Sequence, residues 1–522
     1  MESERVDDTQ GRRRGRRKRD ESAPDRTAPP QQPPWRQSIR PFAPVDLVPQ
    51  EHIEAIHQTS LQILSEIGMD FLNDEARRML GEAGARVDPD SARVRFDADF
   101  IEEKIATAPS EFTIHARNPE RNIRIGGDAV AFTAVSSPPN VSDEAGGRRV
   151  GNRVDFQNLL RLGQTLNTVH MWGGYPVEPV DIHASVRHLD ALYDMLTLSD
   201  RVIHAYSLGA QRNRDALEMV KIARQVDDAT LESEPSVISI INASSPLRYD
   251  TPMLQGIIEF SSRNQVIVIT PFTLAGAMAP VTVAGAMAQH NAEALAGIAF
   301  TQVVRPGAPV IYGGFTSNVD MQSGAPAFGT PEFMQTAMIN GQLTRRYGIP
   351  YRSSGVNAAN ALDAQAAYES VFSLWAAVMG GAHMVLHAVG WMEGGLRASF
   401  EKMILDSDLV AMVQRFMDPI DFTEGGLALD AIRDVGPGGH FFGTAHTLER
   451  FRDAFYKPLL SDWRNYESWE EAGRPEAKEK MVELVDVFLA SYQEPAMDAA
   501  VRAELEEFVE RRRAEGGVET DF

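Results

Sequence analysis

Ser236-Val-Ile-Ser-Ile-Ile-Asn242 is followed, after a helix-length gap, by Gln265-Val-Ile-Val-Ile-Thr-Pro271, and both runs are apolar and rich in β-branched residues. Such short runs are typical of strands that are buried on both faces. Six further runs of this kind recur along the middle of the chain, and their starts are spaced by about 30 to 44 residues. The complete set covers residues 129–135, 168–172, 202–208, 236–242, 265–271, 309–313, 350–354 and 382–388.

The gaps between these runs mostly hold segments with helical apolar spacing. The clearest are residues 210–226, 332–347, 363–379 and 398–416. Strands that alternate with helices at this period predict parallel βαβ units. Eight such units favour an α/β fold closed into a (β/α)₈ TIM barrel. An open doubly wound sheet is less favoured, because no G-x-G-x-x-G turn follows the first run.

The segments on either side of the barrel differ from it in composition. We assign the barrel to residues 129–416, an N-terminal cap to residues 41–128 and a C-terminal helical extension to residues 417–522. The extension either wraps the barrel or forms an oligomer contact, and we expect a homo-oligomer. Residues 1–40 carry eleven Lys or Arg against seven Asp or Glu and are rich in proline, which predicts a disordered tail. A nucleic-acid or membrane arm is less favoured, because no aromatic or helical pattern accompanies the arginines.

Charge and cysteine content exclude several classes of function. The chain has a formal net charge of −22 and a pI near 5.0, and such an acidic protein is repelled by nucleic acids and anionic membranes. It contains no cysteine, which excludes disulfides, thiolate metal sites and iron–sulfur clusters. No apolar run is long enough for a transmembrane helix or a secretory signal. We therefore expect a cytoplasmic protein with no nucleic-acid partner, no membrane partner and no protein-bound metal.

The residues that follow the predicted strands indicate where the chemistry lies, because active sites of such barrels form at the carboxyl ends of the strands. Aromatic side chains crowd these positions, whereas acids are few. Aromatic rings attract quaternary ammonium ions, at roughly 0.5–2 kcal/mol per ring. Some of these rings could instead belong to the core, Tyr206 and Phe272 above all. The substrate-binding candidates are Tyr175, Tyr206, Phe272, Tyr312, Phe315, Arg352, Asn357 and Trp391, and the catalytic candidates are His387 and Glu393.

Four blocks of the sequence are distinctive as a set. They are Pro350-Tyr-Arg-Ser-Ser-Gly355, Asp363-Ala-Gln-Ala-Ala-Tyr-Glu369, His387-Ala-Val-Gly-Trp-Met-Glu-Gly-Gly395 and Gly438-Gly-His-Phe-Phe-Gly-Thr-Ala-His446. Together they resemble the trimethylamine methyltransferase family, and the likeness extends from about Pro49 into the C-terminal region. The resemblance implies a barrel enzyme that demethylates a methylamine and methylates the cobalt of a separate corrinoid protein.

The chain departs from the family pattern in one respect. The archaeal and some bacterial members carry pyrrolysine, whereas every position here is a standard residue. The resemblance therefore implies a quaternary amine demethylase of the glycine betaine type, which uses a corrinoid (cobalamin) cofactor carried by a partner protein. The alternatives that stay open are a tertiary amine demethylase acting on a trimethylamine-like substrate, and a barrel that binds betaine without turnover.

Demethylation of a quaternary amine requires neither a general acid nor a general base from the protein. The nitrogen is already positive, so the tertiary amine leaves without protonation, and Co(I) needs no base to activate it. Holding the methyl group in line with cobalt is then sufficient. Arg352 is the candidate anchor for a substrate carboxylate, since a guanidinium can bind it through two hydrogen bonds, although a structural salt bridge would also explain it. His387 and Glu393 are candidates for orienting the substrate or contacting the corrinoid.

Overall fold

Eight parallel segments form the central barrel of this protein, of which the computed structural model describes residues 29–519. Seven of the segments are strands of one sheet, and each is parallel to its neighbours in the ring. In spatial order these strands are Ala129–Ala134, Met384–Val389, Tyr351–Ser354, Val310–Gly313, Val266–Ile269, Val237–Ile241 and Ile203–His204.

The second predicted run closes this sheet into a ring. Met171 forms a parallel bridge with Thr133 of the first strand. On its other side, the Trp172 N–H donates to the Val202 carbonyl at 2.9 Å, directly before the strand Ile203–His204. The run is therefore the eighth member of the ring, although it is too short to form a regular strand. The prediction of an α/β barrel is confirmed.

Helices cover the outside of the ring. They span Arg153–Thr165, Arg187–Leu198, Ala210–Arg224, Thr251–Ser262, Val283–Val304, Pro331–Tyr347, Ala364–Gly380 and Phe400–Phe416. Several begin at a residue whose side chain accepts a hydrogen bond from the first turn, namely Asn152, Asp250, Thr330, Asp363 and Ser399. Each such cap stabilises its helix by about 1 kcal/mol. The helix boundaries are thus encoded locally in the sequence.

Side chains on the barrel strands alternate between the interior and the surrounding helices, as strand geometry requires. Val266 and Val268 pack in the interior with Ile238 and Ile311. A hairpin of strands Phe112–Ile114 and Ile123–Ile125 adds its isoleucines to this cluster. The His115 N–H donates to the Pro235 carbonyl at 2.7 Å, just before a barrel strand begins. The hairpin therefore closes the floor of the barrel and leaves the carboxyl ends of the strands open.

The remaining elements before the barrel lie along its side. Helices Gln50–Gln62, Asp74–Glu82 and Ala98–Ile105 all contact the barrel helix Val283–Val304. A small sheet of Met69–Phe71, Arg86–Val87 and Arg93–Arg95 adds the barrel-loop strand Arg248–Tyr249. The assignment of residues 41–128 as an N-terminal cap stays a prediction.

The end of the predicted tail is ordered, which corrects the expectation of disorder for that part. Ser38–Ile39 forms a short strand antiparallel to the first barrel strand. The Gln32 side chain donates to the Thr165 carbonyl at 2.9 Å, and the Trp35 indole N–H donates to the Val169 carbonyl at 3.3 Å. Backbone pairing of this kind does not depend on apolar composition, which explains why the composition gave no sign of it. Residues 1–28 of the predicted tail lie outside the described residues.

Two long helices lie near the end of the chain, within the extension that the sequence predicts to be helical. Ala477–Ala490 contacts barrel helices Phe400–Phe416 and Arg153–Thr165, and Ala499–Ala514 contacts Ala210–Arg224 and Arg187–Leu198. Between the barrel and these helices, residues 418–457 include no buried side chain. Across residues 29–519, no helix has the length and apolarity that crossing a membrane requires. The division at residue 417 into barrel and extension stays a prediction.

Candidate active site at the barrel mouth

Two small sheets extend the carboxyl ends of the barrel strands. One consists of Phe272–Ala275, Phe315–Val319 and Pro326–Ala327, and the other of Trp391–Met392, Arg397–Ser399, Asn140–Asp143 and Gly147–Val150. Three strands of these sheets begin at Phe272, Phe315 and Trp391, each within three residues of the end of a barrel strand. Short continuations of the strands therefore fix aromatic side chains around the mouth.

A cavity of about 410 Å³ lies at this mouth. Its deep end is formed by Arg352 and His387, which are both buried, and its rim carries the exposed side chains of Leu208 and Leu396. This volume lies within the range of small-molecule sites. The cavity thus connects the top of the barrel interior with solvent.

The structure brings six of the predicted site residues to the cavity wall, which are Tyr206, Phe272, Phe315, Arg352, His387 and Trp391. The Phe272 and Phe315 rings have centroids 4.9 Å apart, and Trp391 meets Phe315 edge to face at 6.5 Å. Tyr206 stands elsewhere on the wall, with its ring centroid 4.6 Å from that of His204. The cavity therefore presents several aromatic rings to one small volume.

Two predicted tyrosines lie outside this wall. Tyr175 packs behind Tyr206, with ring centroids 4.4 Å apart, and borders a neighbouring cavity that contains Glu178. Tyr312 is directed at the surrounding helices, where its hydroxyl donates to the Oδ1 of Asn291 at 3.1 Å. Both tyrosines are buried. Tyr175 thus supports the pocket from behind, and Tyr312 belongs to the packing between strand and helix.

Asn357 and Glu393 also lie away from the wall, on either side of Trp391. The Asn357 side-chain amide donates to the Trp391 carbonyl at 2.5 Å. The Glu393 carboxylate forms ion pairs with Arg148 at 3.0 Å and with Arg397 at 3.1 Å. Both residues hold the loop that carries Trp391, and the carboxylate of Glu393 is already bound by two arginines.

A buried ion pair supports the same loop from below. The Asp406 carboxylate accepts a hydrogen bond from the Gly390 N–H at 2.8 Å and pairs with the fully buried Lys402. Lys402 also donates to the Ser370 hydroxyl at 2.8 Å. Gly395 is required at the far end of the loop, because a Cβ there would lie 2.6 Å from the Trp391 ring at a φ of +103°. The position of Trp391 is therefore fixed from both sides.

Arg352 is the one charged residue among the described residues that line the cavity, none of which is Asp or Glu. Its only hydrogen bond among the described residues is a long one, from Nη1 to the Gly314 carbonyl at 3.4 Å, and its Nε is buried without a partner. The guanidinium lies 4.9 Å from the centroid of the Phe315 ring. Burial lowers the pKa of Arg352 to about 9, so the group is cationic at neutral pH.

The two histidines of the cavity are neutral. Burial lowers the pKa of His204 to about 3, and its Nε2 accepts a hydrogen bond from the Ile240 N–H at 3.1 Å. Burial, with the nearby Arg352 and His204, lowers the pKa of His387 well below its usual value. The Nδ1 of His387 lies 3.0 Å from the Ser136 hydroxyl oxygen. The cavity as a whole therefore carries a single positive charge.

Several residues of the wall were not among the sequence-predicted site residues. Asn242 and Thr270 lie at the ends of predicted strands and His204 ends an observed one, as barrel active sites require, but their types gave no separate signal. Ser136 and Ser137 follow the first strand directly and could have been found by the same rule. Met253 and Leu396 come from loops and helices whose approach to the mouth depends on the tertiary fold.

No group of three or more His, Cys, Asp or Glu side chains that could hold a metal ion occurs within residues 29–519. The chemistry available at the cavity itself is therefore that of aromatic faces, one guanidinium, two neutral imidazoles and several hydroxyl groups. Such a set can bind and orient a small ion and exclude water from it. It contains no carboxylate that could act as a base.

Comparison with known proteins identifies the family of this chain. Residues 12–517 match the family described as "Trimethylamine methyltransferase (MTTB)". Glycine betaine methyltransferase of Desulfitobacterium hafniense (strain Y51) is 36% identical over 475 residues, which cover 91% of this chain and 98% of the relative. Trimethylamine methyltransferase MttB of D. hafniense (strain DSM 10664 / DCB-2) is 27% identical, over 90% of this chain and 94% of the relative. Proline betaine:corrinoid methyltransferase of Eubacterium limosum is 27% identical, over 78% and 85% respectively.

The family match spans nearly the whole chain, and the relatives are covered over most of their length. The resemblance inferred from the four sequence blocks is confirmed. This chain belongs to the trimethylamine methyltransferase family.

Proposed function

We propose that this protein transfers a methyl group from a zwitterionic quaternary amine, of the glycine betaine class, to the Co(I) of a corrinoid carried by a partner protein. The names of its relatives support both halves of the reaction, since they include a glycine betaine methyltransferase and a proline betaine:corrinoid methyltransferase. A cytoplasmic location belongs to the same proposal, because Co(I) requires a reducing compartment.

The observation that carries the proposal is the unpaired guanidinium of Arg352 inside an aromatic cavity. A buried cation without a partner costs several kcal/mol, so such a group is normally paired. A substrate with only a positive charge would make this worse, because two unit charges about 6 Å apart repel by roughly 3 kcal/mol at an effective dielectric constant near 20. A carboxylate on the substrate removes both difficulties. The cavity therefore favours a betaine over trimethylamine or choline.

Each part of a betaine then has a partner in the cavity. The carboxylate binds the Nε and Nη groups of Arg352, which can donate two parallel hydrogen bonds. The trimethylammonium group lies against Phe272 and Trp391, where each ring contributes roughly 0.5–2 kcal/mol, while the Phe315 ring contacts the Arg352 guanidinium. His387 lies between the two, 4.1 Å from Trp391 between ring centroids, and as a neutral ring it orients the substrate without adding charge.

The reaction itself is a displacement at carbon. The electron pair of Co(I) forms the new bond to the methyl carbon, and the C–N bond breaks with its electrons going to nitrogen. The products are methyl-Co(III) and a tertiary amine whose nitrogen is uncharged and whose carboxylate is retained, so no proton is moved in this step. The protein supplies orientation and excludes water, which together can contribute up to roughly 7–11 kcal/mol of the barrier. Glu393, predicted as catalytic, is proposed instead to hold the loop around Trp391 through its two ion pairs.

The corrinoid protein is a second substrate that must approach the open side of the cavity. The exposed rim residues Leu208 and Leu396 are the side chains it would meet first. The floor of the barrel is closed by the hairpin within residues 112–125, so access is from the carboxyl ends of the strands alone. We keep the role of residues 41–128 as a cap within this proposal, with the hairpin closing the floor and the preceding elements supporting the barrel along its side.

The test is an anoxic assay in which the protein is incubated with Co(I) corrinoid protein, or free cob(I)alamin, and methyl-Co(III) is followed by its absorbance. Glycine betaine and proline betaine are compared with trimethylamine, choline and tetramethylammonium. We expect turnover with at least one betaine and at least about 30-fold lower kcat/KM for the three cations without a carboxylate. Turnover of trimethylamine in preference to the betaines would reject the proposal. Betaine binding without methyl transfer would support the non-catalytic alternative instead.

A further inference from the structure

The apolar arm, which we define as residues 418–457, leaves the barrel after helix Phe400–Phe416 and returns at Leu459. None of its side chains is buried, although it is rich in large apolar residues. The most exposed include Ile420, Phe422, Phe442, Phe451 and Phe455, of which Phe442 is 85% exposed and Phe455 86%. Monomeric proteins rarely expose a continuous apolar surface of more than a few hundred Å². The number of large apolar side chains exposed on this one segment therefore indicates that a partner covers it.

The arm has regular local structure that its own contacts do not explain. It contains the short helices Glu424–Leu427, Leu429–Val435 and Ala445–Arg450. Helices of this length are unstable in water unless tertiary packing supports them. Part of the sequence that carries the family resemblance, Gly438 to His446, lies in the arm with every residue exposed or half-exposed. The support must come from outside the described chain.

The position of the arm favours a cover other than the corrinoid protein. Helix Phe400–Phe416 begins beside the barrel mouth and ends at the floor, where Phe416 contacts Phe42 and Trp375. The arm starts there, returns where the Leu459 N–H donates to the Asp408 carboxylate at 2.8 Å, and contributes no residue to the cavity. It thus starts at the opposite end of the barrel from the site the corrinoid must reach.

The apolar composition of the arm is typical of a permanent interface and not of a transient one. On the proposed function, the corrinoid protein must leave after each methyl transfer, so its contact has to be transient. Permanent interfaces are the more hydrophobic ones, which matches the arm. The undescribed residues 1–28 contain only Met1 and Val6 as large apolar residues, so they cannot cover several phenylalanines. A second copy of the chain is present at equal concentration and offers the same apolar surface in return.

We propose that the apolar arm is the interface through which two copies of this chain associate. The area is adequate, because a phenylalanine can bury roughly 150–250 Å², and the arm has five phenylalanines that are 43–86% exposed together with five exposed Leu or Ile side chains. A standard interface needs about 800 Å² from each partner. An isologous contact of arm against arm satisfies both copies at once and closes the assembly.

Light scattering coupled to size-exclusion chromatography tests this on the full-length protein. We expect a dimer or a closed higher assembly at micromolar concentration, and at least about 100-fold weaker self-association in the double variant Phe442→Asp/Phe455→Asp. The matched control Phe442→Leu/Phe455→Leu keeps the apolar surface and should assemble like the wild type. A second control, Tyr368→Asp/Phe372→Asp, changes an exposed aromatic pair outside the arm and should also leave assembly intact.

Hydrogen–deuterium exchange provides a second measurement that does not depend on the size of the assembly. Amides of residues 418–457 should be protected in the wild type and exchange within seconds in the Asp variant, while the barrel strands stay protected in both. A wild-type monomer, an Asp variant that assembles normally, or protection of the arm only when corrinoid protein is added would each overturn the inference. Methyl transfer is measured separately, so an active monomer would reject this interface and leave the proposed function standing.

Discussion

Arg201 and Arg352 are both buried arginines of this barrel, but the hydrogen-bond partners around the two guanidinium groups differ. Arg201 lies against the end of helix Arg153–Thr165, where it donates to the carbonyls of Gly163 at 2.5 Å, Gln164 at 2.9 Å and Leu166 at 3.2 Å. Arg352 lies at the mouth, where it makes one long hydrogen bond of 3.4 Å to a carbonyl. Burial lowers the pKa of each to about 9.

We interpret Arg201, which binds three carbonyls, as a structural cation, and Arg352, which has no anionic partner, as a ligand-binding one. Arg201 donates to three carbonyls at the helix end, of which those of Gly163 and Leu166 also accept a backbone N–H. The arginine and the end of the helix therefore stabilise each other. Around Arg352 the chain supplies aromatic faces and neutral groups but no anion. A buried cation that the fold leaves unpaired is best explained by a ligand that brings the anion. The following predictions test that distinction, from the largest expected effect to the smallest.

Replacing the unpaired cation should affect activity far more than stability. We expect Arg352→Met to lower kcat/KM for glycine betaine by about 100- to 1000-fold, since loss of one partner of a desolvated charge pair costs about 3–4 kcal/mol. The free energy of unfolding should stay the same or rise, because an unpaired buried charge is removed. Steady-state methyl-Co(III) assays and urea denaturation measure the two effects. An equal loss of activity toward choline would contradict a carboxylate-binding role.

Replacing Arg201 should affect stability far more than activity. Arg201→Met removes three hydrogen bonds from a charged donor to helix-end carbonyls, so we expect the free energy of unfolding to fall by about 2–4 kcal/mol. The KM for betaine should change by less than about threefold in protein that is folded at the assay temperature. Urea denaturation followed by circular dichroism gives the first value. If Arg201→Met were as stable as the wild type, the comparison between the two regions would fail.

The neutral state of His204 beside the cavity should appear as a pH dependence of stability. Its folded pKa is about 3 and its unfolded pKa about 6.5, so below pH 6.5 the unfolded chain binds a proton that the folded protein does not. The contribution of His204 to the free energy of unfolding is therefore fully present above about pH 7, and it falls by about 2 kcal/mol between pH 7 and 5. His204→Gln should lose this contribution while keeping an acceptor for the Ile240 N–H. Denaturation curves at both pH values test it, and identical pH dependence in the two proteins would contradict it.

The aromatic wall should contribute less per residue than the guanidinium. We expect Trp391→Ala to raise KM for betaine by about 5- to 30-fold, corresponding to about 1–2 kcal/mol for one lost ring face. Trp391→Phe should remain within about threefold of the wild type. Titration of betaine in the methyl-transfer assay gives both values. A KM that is unchanged in Trp391→Ala would remove this ring from the pocket.

The barrel could be predicted from the sequence because its signal is repeated and local. Runs such as Val237–Ile241 and Val266–Ile269 lie inside the predicted segments, and helices such as Pro331–Tyr347 begin within a residue or two of the predicted positions. The second run was predicted correctly as a member of the ring even though it forms only a bridge at Met171. The ordered contacts of Gln32 and Trp35 were missed, because side-chain and backbone pairing across more than a hundred residues leaves no periodic pattern.

The site could be predicted only in part, for a geometrical reason. Barrel strands are apolar on both faces, so the sequence does not show which alternate residues point inward. Tyr312 pairs in register with Tyr351 on the helix-facing side, and their successors Gly313 and Arg352 pair on the other. Tyr312 therefore faces the helices, whereas Arg352, one register position further along on the neighbouring strand, faces the cavity. Asn357 was predicted as a substrate-binding residue but lies off the wall and donates to the Trp391 carbonyl, because a loop residue can support a wall without facing the ligand.

By itself, the sequence determined the α/β barrel, its helix boundaries and the family, because repeating apolar runs, helix caps and motif blocks are properties of short stretches. It also determined that aromatic residues and one arginine follow the strand ends. Only the tertiary structure decided which of these side chains share a cavity, that Arg352 has no anion there while Arg201 binds three carbonyls, and that the arm is uncovered. Those facts depend on which distant groups meet, and hydrogen bonding, burial and charge pairing are settled only when the ring closes.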